Sequence, residues 1–420
     1  MKIFLYNCIF LILLPFMVVR IFIKSFSDKD YLKGFLNRFG FYRVKPKDNL
    51  IWFHAVSLGE VISSKAIIKK ILNDNNVVLT VSTPTGLREA KKIYQDDLEV
   101  VYAPWDFDLF VRNFIRTFRP IALILFETEI WPSTIHLTSK KNIPSILSNA
   151  RLSKSSYKKY HSFRLFTKDI FRKISLILAQ SEEHVIRFKE MGVLEKNIIQ
   201  VGSVKFDFDL VSGEETSKNN NIIMASSTHK GEDQIIIDAF SELKKDWPEL
   251  KLIIVPRHPE RADSILKILN RKKINSRIAS KVSYLKDTDV VVINTTGQLN
   301  SLYKIANITF IGGSLISKYG GHNIIEAAAN KCAFIVGPYM KNFEDILNLF
   351  KAKNACIQLL NSNDLSQSYR ELLNNNELRI NMIDNAIEVV DENRGSSEKQ
   401  FNNISKLVNY EISNSNNKTI

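Results

Sequence analysis

The feature that most constrains this chain is a rhythm. Short β-branched runs recur between helical patterns: Leu50 to Ser57, Asn76 to Thr83, Leu98 to Pro104, Ile121 to Glu127, Ile143 to Asn149, Leu176 to Ser181 and Asn197 to Ser203. Such alternation predicts a parallel sheet covered by helices. The stretch Leu210 to Asn221 has no apolar period and reads as a linker. A second series follows, with strands at Asn221 to Ser227, Leu250 to Arg257, Asp289 to Asn294, Ile308 to Gly313 and Cys332 to Pro338. The expected organisation is a segment 1–25, a Rossmann-like domain 26–209, a linker 210–221, a second Rossmann-like domain 222–405 and a polar tail 406–420, with Glu411 to Ile420 frayed. Two doubly wound domains are expected to bring the ends of both sheets around a central cleft, where ligands of open α/β sheets bind. A length of 420 residues fits two such cores.

Segment 1–25 is the second constraint. Ile3 to Val19 is almost wholly apolar, and the run resumes after Arg20 with Ile21-Phe22-Ile23. That is near the minimum for a membrane span, so a single spanning helix with Arg20 snorkelling and a shallow interfacial anchor both fit. No small-x-small site follows, which disfavours a cleaved signal peptide. Basic residues crowd the C-terminal flank of the run, from Arg20 to Lys47, while only Lys2 precedes it. The positive-inside rule then places the remaining chain in the cytoplasm.

A formal charge of +14 asks for an anionic partner. The three cysteines are widely spaced, without a CxxC pair or zinc-like spacing. The stretch Arg151 to Lys173 carries eight basic residues against the single acid Asp169, with Tyr157, Tyr160, Phe163, Phe166 and Phe171 interleaved. It is expected to form an amphipathic surface for anionic lipid, the alternative being a solvated basic face. A nucleic-acid-binding role would predict salt-sensitive RNA or DNA binding and leaves the paired α/β motifs unexplained.

In the first domain, His54-Ala55-Val56-Ser57-Leu58-Gly59-Glu60 runs from a strand into a helix. A carboxylate at Glu60 suits a general base there, but Ser57-x-x-Glu60 is equally a capping box, and the pattern leaves both readings open. Phe126-Glu127-Thr128-Glu129-Ile130-Trp131-Pro132 ends an apolar strand with two carboxylates, so either one of them faces the cleft or both simply mark the strand's exit to water. In the second domain, Ser226 to Glu232, Pro256-Arg257-His258-Pro259, Thr295-Thr296-Gly297-Gln298 and Gly320 to Glu326 lie at strand ends. There helix N-termini and an arginine fork are able to hold phosphate. Asn323-x-x-Glu326 is again a possible capping box. No Walker loop and no GxGxxG occurs.

Taken in order, His54 to Glu60, Glu127 to Pro132, Asn149-Ala-Arg-Leu-Ser153, Ser203-Val-Lys-Phe-Asp207, Ser227-Thr-His229, Pro256-Arg-His258 and Gly321 to Glu326 resemble the Kdo transferases of lipopolysaccharide synthesis. The anchor followed by Arg38-Phe-Gly-Phe-Tyr-Arg43 adds to the likeness. The resemblance implies a GT-B fold and an inverting, metal-independent transfer of 3-deoxy-D-manno-octulosonic acid (Kdo) from CMP-Kdo to a lipid A precursor, lipid IVA, with no bound cofactor. It further implies Glu60 as proton acceptor and Glu129 and Lys205 as transition-state supports. CMP contacts fall to Pro256, Arg257, Thr296, Gly297, Gln298, Asn323, Ile324, Ile325 and Glu326. Two positions depart from the family pattern. Asn294-Thr-Thr-Gly-Gln-Leu299 stands where Asp-Thr-x-Gly-Glu-Leu is usual, and Ala327 replaces a frequent proline. Gln298 is read as keeping a backbone contact to CMP. The nearest rival is another enzyme of this fold, a UDP-sugar transferase or epimerase.

Overall fold

The computed structural model describes residues 2–44, 46–207 and 219–416. The chain divides into two compact units, Met1–Asp207 with Arg394–Ile420, and Phe208–Asn393.

The first unit is built on a seven-stranded parallel sheet: β1 (Leu50–His54), β2 (Asn76–Val81), β3 (Glu99–Tyr102), β4 (Ala122–Phe126), β5 (Ser145–Ala150), β6 (Leu176–Ala179) and β7 (Ile198–Gln200). Their order in the sheet is β3-β2-β1-β4-β5-β6-β7. β1 pairs with β2 on one side (Ile51 opposite Val77) and with β4 on the other (Ile51 opposite Ala122). All five β1 residues are buried, because helices cover both faces. Alternation sends Ile51 and Phe53 into one core and Leu50 and Trp52 into the other. The strand order reverses between β1 and β4, so the segments leaving these two strands flank the switch point where open α/β sheets bind ligands.

The last helix, Ser396–Asn416, belongs to this first unit. Ile404 and Val408 lie in the same core as Val61, Ile67 and Ile71 of the helix Leu58–Ile71. The sequence expectation of a second domain to 405 is corrected, and the expected frayed stretch is helical as far as Asn416, residues 417–420 lying outside the described residues. Phe401, Ile404 and Val408, spaced three and four apart, give this helix an apolar stripe that packs into the core of the first unit.

The second unit repeats the plan with β8 (Asn219–Thr228), β9 (Lys251–Pro256), β10 (Ser276–Ala279), β11 (Val290–Ile293), β12 (Ala306–Ile311), β13 (Ala333–Val336) and β14 (Ile357–Gln358). The order is β10-β11-β9-β8-β12-β13-β14, again all parallel, with the reversal between β8 and β12. β10 and β14 escaped the sequence reading because both are short edge strands without a continuous apolar run. The expected linker lies outside the described residues as far as 218, and residues 219–221 already belong to β8.

The N-terminal helix Lys2–Ser25 is docked on the first unit. Phe10, Leu14, Met17, Val18 and Ile21 pack against Phe39, Trp105, Phe107 and Phe110. The Arg38–Arg43 segment is the seat of this contact. Arg38 is buried over the Tyr102 ring, 4.1 Å from its centroid. Gly40 has φ +80°, and a Cβ there would meet the Phe110 carbonyl oxygen at 2.3 Å, so only glycine fits.

Candidate active site

Glu60 opens the helix that follows β1. Its N-cap is Ser57, with extended dihedrals, but the Ser57 hydroxyl accepts no backbone hydrogen bond. Instead Ser57 Oγ donates to Glu60 Oε1 at 2.9 Å, and Val56 N–H donates to Glu60 Oε2 at 2.8 Å. The capping box is therefore not formed: both donors converge on the carboxylate.

Across the switch point, Glu127 leaves β4 with φ +62°, an uncommon conformation for a residue with a side chain. Lys205 Nζ stands 3.7 Å from Glu127 Oε1. Two residues on, Glu129 Oε2 accepts from Trp131 Nε1 at 2.9 Å. Burial first, and then the charge of Glu127, push Glu60 up to about 7, against the opposing effects of Val56 N–H, Ser57 and Lys205. Burial and the charge of Glu60 push Glu129 up to about 8, while the Trp131 bond opposes this. The charge of Glu60 thus reaches Glu129. The three residues Glu60, Glu129 and Lys205, distant in sequence, are brought into one electrostatic array, and Glu127 completes it.

Asn149 positions the lysine loop. At the end of β5 it takes φ +50°, and its Oδ1 accepts from Val204 N–H at 3.2 Å, next to Lys205. Gln400 Oε1, from the last helix, accepts from Asn149 N–H at 2.7 Å and from Ser148 Oγ at 2.6 Å. Asp207 accepts from Gly395 N–H at 2.7 Å and from Ser397 N–H at the start of that helix. Thr128 Oγ1 donates to the Arg151 carbonyl, joining the two motif loops. Gln400 was missed in the sequence, where a lone amide in a polar helix carries no signal. His54 is buried and neutral, held near pKa 4 by burial, with Nδ1 2.8 Å from Thr80 Oγ1.

In the second unit the nucleotide-like motifs divide into scaffold and surface. Glu232 is scaffold. Its buried carboxylate accepts from the backbone N–H groups of His229 (2.8 Å), Gly313 (2.7 Å), Ser314 (3.0 Å) and Leu315 (2.9 Å), shaping the turn after β12. These donors serve a carboxylate of the chain itself rather than a phosphate. Arg257 leaves β9 exposed, with its backbone N–H bonded to Thr228 O at 3.0 Å. Beside it, His229 and His322 meet through their Nε2 atoms at 2.7 Å, and Tyr319 stacks on His229 at 3.9 Å. Burial holds both histidines near pKa 4, and the Arg257 charge adds to this. Among the described residues, no group of three or more His, Cys, Asp or Glu is placed to hold a metal ion.

Pro256 ends β9 buried, and Gly297 has φ +82° with open space where a Cβ would point. Thr296 and Gln298 flank it. The Gln298 amide donates to Ser280 O and Thr295 Oγ1, both at 2.6 Å, so its side chain braces the loop. Asn323 is not a capping-box partner: its Oδ1 accepts from Ile325 N–H at 3.1 Å, and its amide donates to Glu326 Oε1 at 3.0 Å. Ile324 and Ile325 are buried behind it, and burial raises the Glu326 carboxyl above the ordinary range.

Residues 33–208 match the family described as 3-deoxy-D-manno-octulosonic-acid transferase, and residues 213–389 match the glycosyl transferases group 1. A curated 3-deoxy-D-manno-octulosonic acid transferase of Haemophilus influenzae is 31% identical over 412 residues, covering 94% of this chain and 96% of that one. The chain belongs to the Kdo transferase family. A further member, from Rickettsia typhi, is 32% identical over 365 residues, covering 82% of this chain and 77% of its own. A solved glycosyltransferase structure from Rickettsia africae superposes with a TM-score of 0.54 at 17% identity, over 89% of this chain and 100% of that one. That likeness speaks for the GT-B fold alone. Membership makes this Kdo transferase a glycosyltransferase, with both matched halves coinciding with the two parallel sheets.

Proposed function

We propose that this enzyme transfers Kdo from CMP-Kdo to a lipid A precursor, lipid IVA, at the cytoplasmic face of the inner membrane. The observation that carries the reading is the Glu60 carboxylate at the β1/β4 switch point, tuned to about 7 while both potential capping groups bond to it. A carboxylate so tuned takes the proton from an acceptor hydroxyl as that oxygen attacks the anomeric carbon, inverting it. Glu129 and Lys205 support charge as it develops in the transition state. Pro256, Arg257, Thr296 to Gln298, and Asn323 to Glu326 hold the CMP. There the exposed Arg257 supplies a charged fork for phosphate, and the open side of Gly297 gives backbone access. Family membership and the full set of matching motifs favour this donor over a UDP-sugar.

The test is a donor panel with detergent-solubilised enzyme and lipid IVA, followed by mass spectrometry of the lipid. The expected result is a mass increment of one or two Kdo residues with CMP-Kdo only. Turnover of a UDP-sugar without CMP-Kdo turnover would overturn the assignment.

A further inference from the structure

We infer that the N-terminal helix Lys2–Ser25 lies in the plane of an anionic membrane surface as a docked half-buried rod and does not cross the bilayer. The inference rests on the membrane-associated reading above and concerns the geometry of attachment.

Hydropathy alone makes this helix a spanning candidate. Its contacts do not. A row at helical spacing, Ile3, Asn7, Phe10, Leu14, Met17 and Ile21, faces the first unit. At a rise of about 1.5 Å per residue this row is roughly 27 Å long, close to the whole thickness of the hydrocarbon core, about 30 Å. No stretch is left over to cross with.

The contacts are also polar and specific. Asn7 Nδ2 donates to Asp108 Oδ1 at 3.0 Å, and Asn7 Oδ1 accepts from Asp108 N–H at 3.0 Å. Tyr6 OH donates to Asp106 Oδ2 at 2.9 Å. The buried Asp106 in turn accepts from Ser133 and Thr134 N–H at the start of the helix Pro132–Lys140. Lys2 pairs with Asp169 at 2.6 Å and bonds to Leu165 O. If the helix spanned in this pose, Asp106, Asp108 and Asp169 would be drawn into hydrocarbon, at several kcal/mol each.

The opposite face is bare. Leu5, Ile9, Ile12, Phe16, Val19 and Ile23 are exposed along the whole length, with Ile12 69% exposed. A contiguous apolar row of this length is rarely left to water. Beside its N-terminal end, Phe163 and Leu165 are exposed at 70% and 80%. The remaining aromatics of the basic stretch turn inward: Tyr157, Tyr160 and Phe166 pack on the core and Phe171 is buried. That corrects the expectation of an aromatic lipid face over 151–173, whose apolar side is largely core. The exposed basic residues Arg20, Lys24 and Lys33 stand at the C-terminal end of the helix, and Arg164 and Lys168 at the other. An apolar face rimmed by cations complements an anionic lipid headgroup layer.

Nitroxide depth measurement tests this. Leu5, Ile12 and Ile23 fall on one line along the bare face, so labels there leave the packed row intact. Each is changed singly to Cys in full-length protein carrying Ser or Ala in place of Cys8, Cys332 and Cys356, then reconstituted on phosphatidylglycerol–phosphatidylethanolamine vesicles. The in-plane helix gives three similar shallow depths, roughly 5–10 Å below the headgroups. A deep Ile12 between two shallow ends in opposite leaflets would overturn the geometry while keeping membrane association. Three water-exposed labels would overturn both.

Discussion

Ser57 Oγ donates to the Glu60 carboxylate at 2.9 Å and leaves the backbone of its own helix uncapped. The pair that a capping pattern would devote to helix stability is turned instead upon one carboxylate. Ser57→Ala therefore removes no side-chain cap, and its effect on melting temperature is expected to fall well short of the roughly 1 kcal/mol typical of a lost cap. Its effect on catalysis is expected to be larger. Without a donor that holds Glu60 down, the acid limb of kcat/KM shifts to higher pH, which a pH–rate profile reads directly.

With Glu60 as the proposed base, wild-type activity should rise with pH through about 7, since a base works only when ionised and this carboxyl lies near that value. An acid limb near 4.5, the ordinary carboxyl range, would show that Glu60 is not the group being titrated.

The raised Glu129 carboxyl has a consequence for stability. A group with a higher pKa in the folded state binds protons more tightly there, so its stabilising contribution is full below the unfolded value, near 4.5, and disappears as pH rises through about 8. Glu129→Gln, which carries no charge, should show a melting temperature that gains on the wild type between pH 5 and 8 while transfer falls. Parallel pH-dependence of the two proteins would contradict the shift.

Gln400 ties the last helix to the site through Ser148 and Asn149. Gln400→Leu leaves a buried hydroxyl and a buried N–H without their acceptor, a loss of about 1–3 kcal/mol. Lower thermal stability and a lower kcat, through the Asn149–Val204 link beside Lys205, are expected. Unchanged activity would detach the last helix from the site.

Much of this was legible in the sequence. Among the described residues, twelve of the fourteen strands announced themselves because parallel strands buried on both faces read as continuous apolar runs, as in Leu50–His54 and Val290–Ile293. At the β1/β4 switch point the pattern showed carboxylates at strand ends but left Glu60 open between base and cap, and Lys205 entered only through the family resemblance. What stayed hidden depended on contacts at long range. Nothing local says that Ile404 and Val408 share a core with Ile67, that Asn149 adopts a left-handed turn to reach Val204, or that Glu232 is consumed by the turn after β12. Nor does composition say which face of Lys2–Ser25 is occupied, since the packed and bare rows are both apolar.

Arg257 is the exposed cation placed beside the His229–His322 pair. Arg257→Ala should weaken CMP binding by roughly tenfold to a hundredfold, as calorimetry would show, because hydrogen bonds to charged groups contribute about 1.5–3 kcal/mol. Unaltered affinity would remove it from the donor site.

The central claim rests on Glu60 and is tested most directly by Glu60→Gln, measured for CMP binding by calorimetry and for transfer by mass spectrometry of lipid IVA. The amide keeps the size of the side chain and an oxygen for Val56 N–H while losing the base. The expected result is a normally folded protein with unchanged CMP affinity and transfer reduced by about 10²–10⁴-fold. Transfer at the wild-type rate would contradict the account and leave Glu60 as a structural residue.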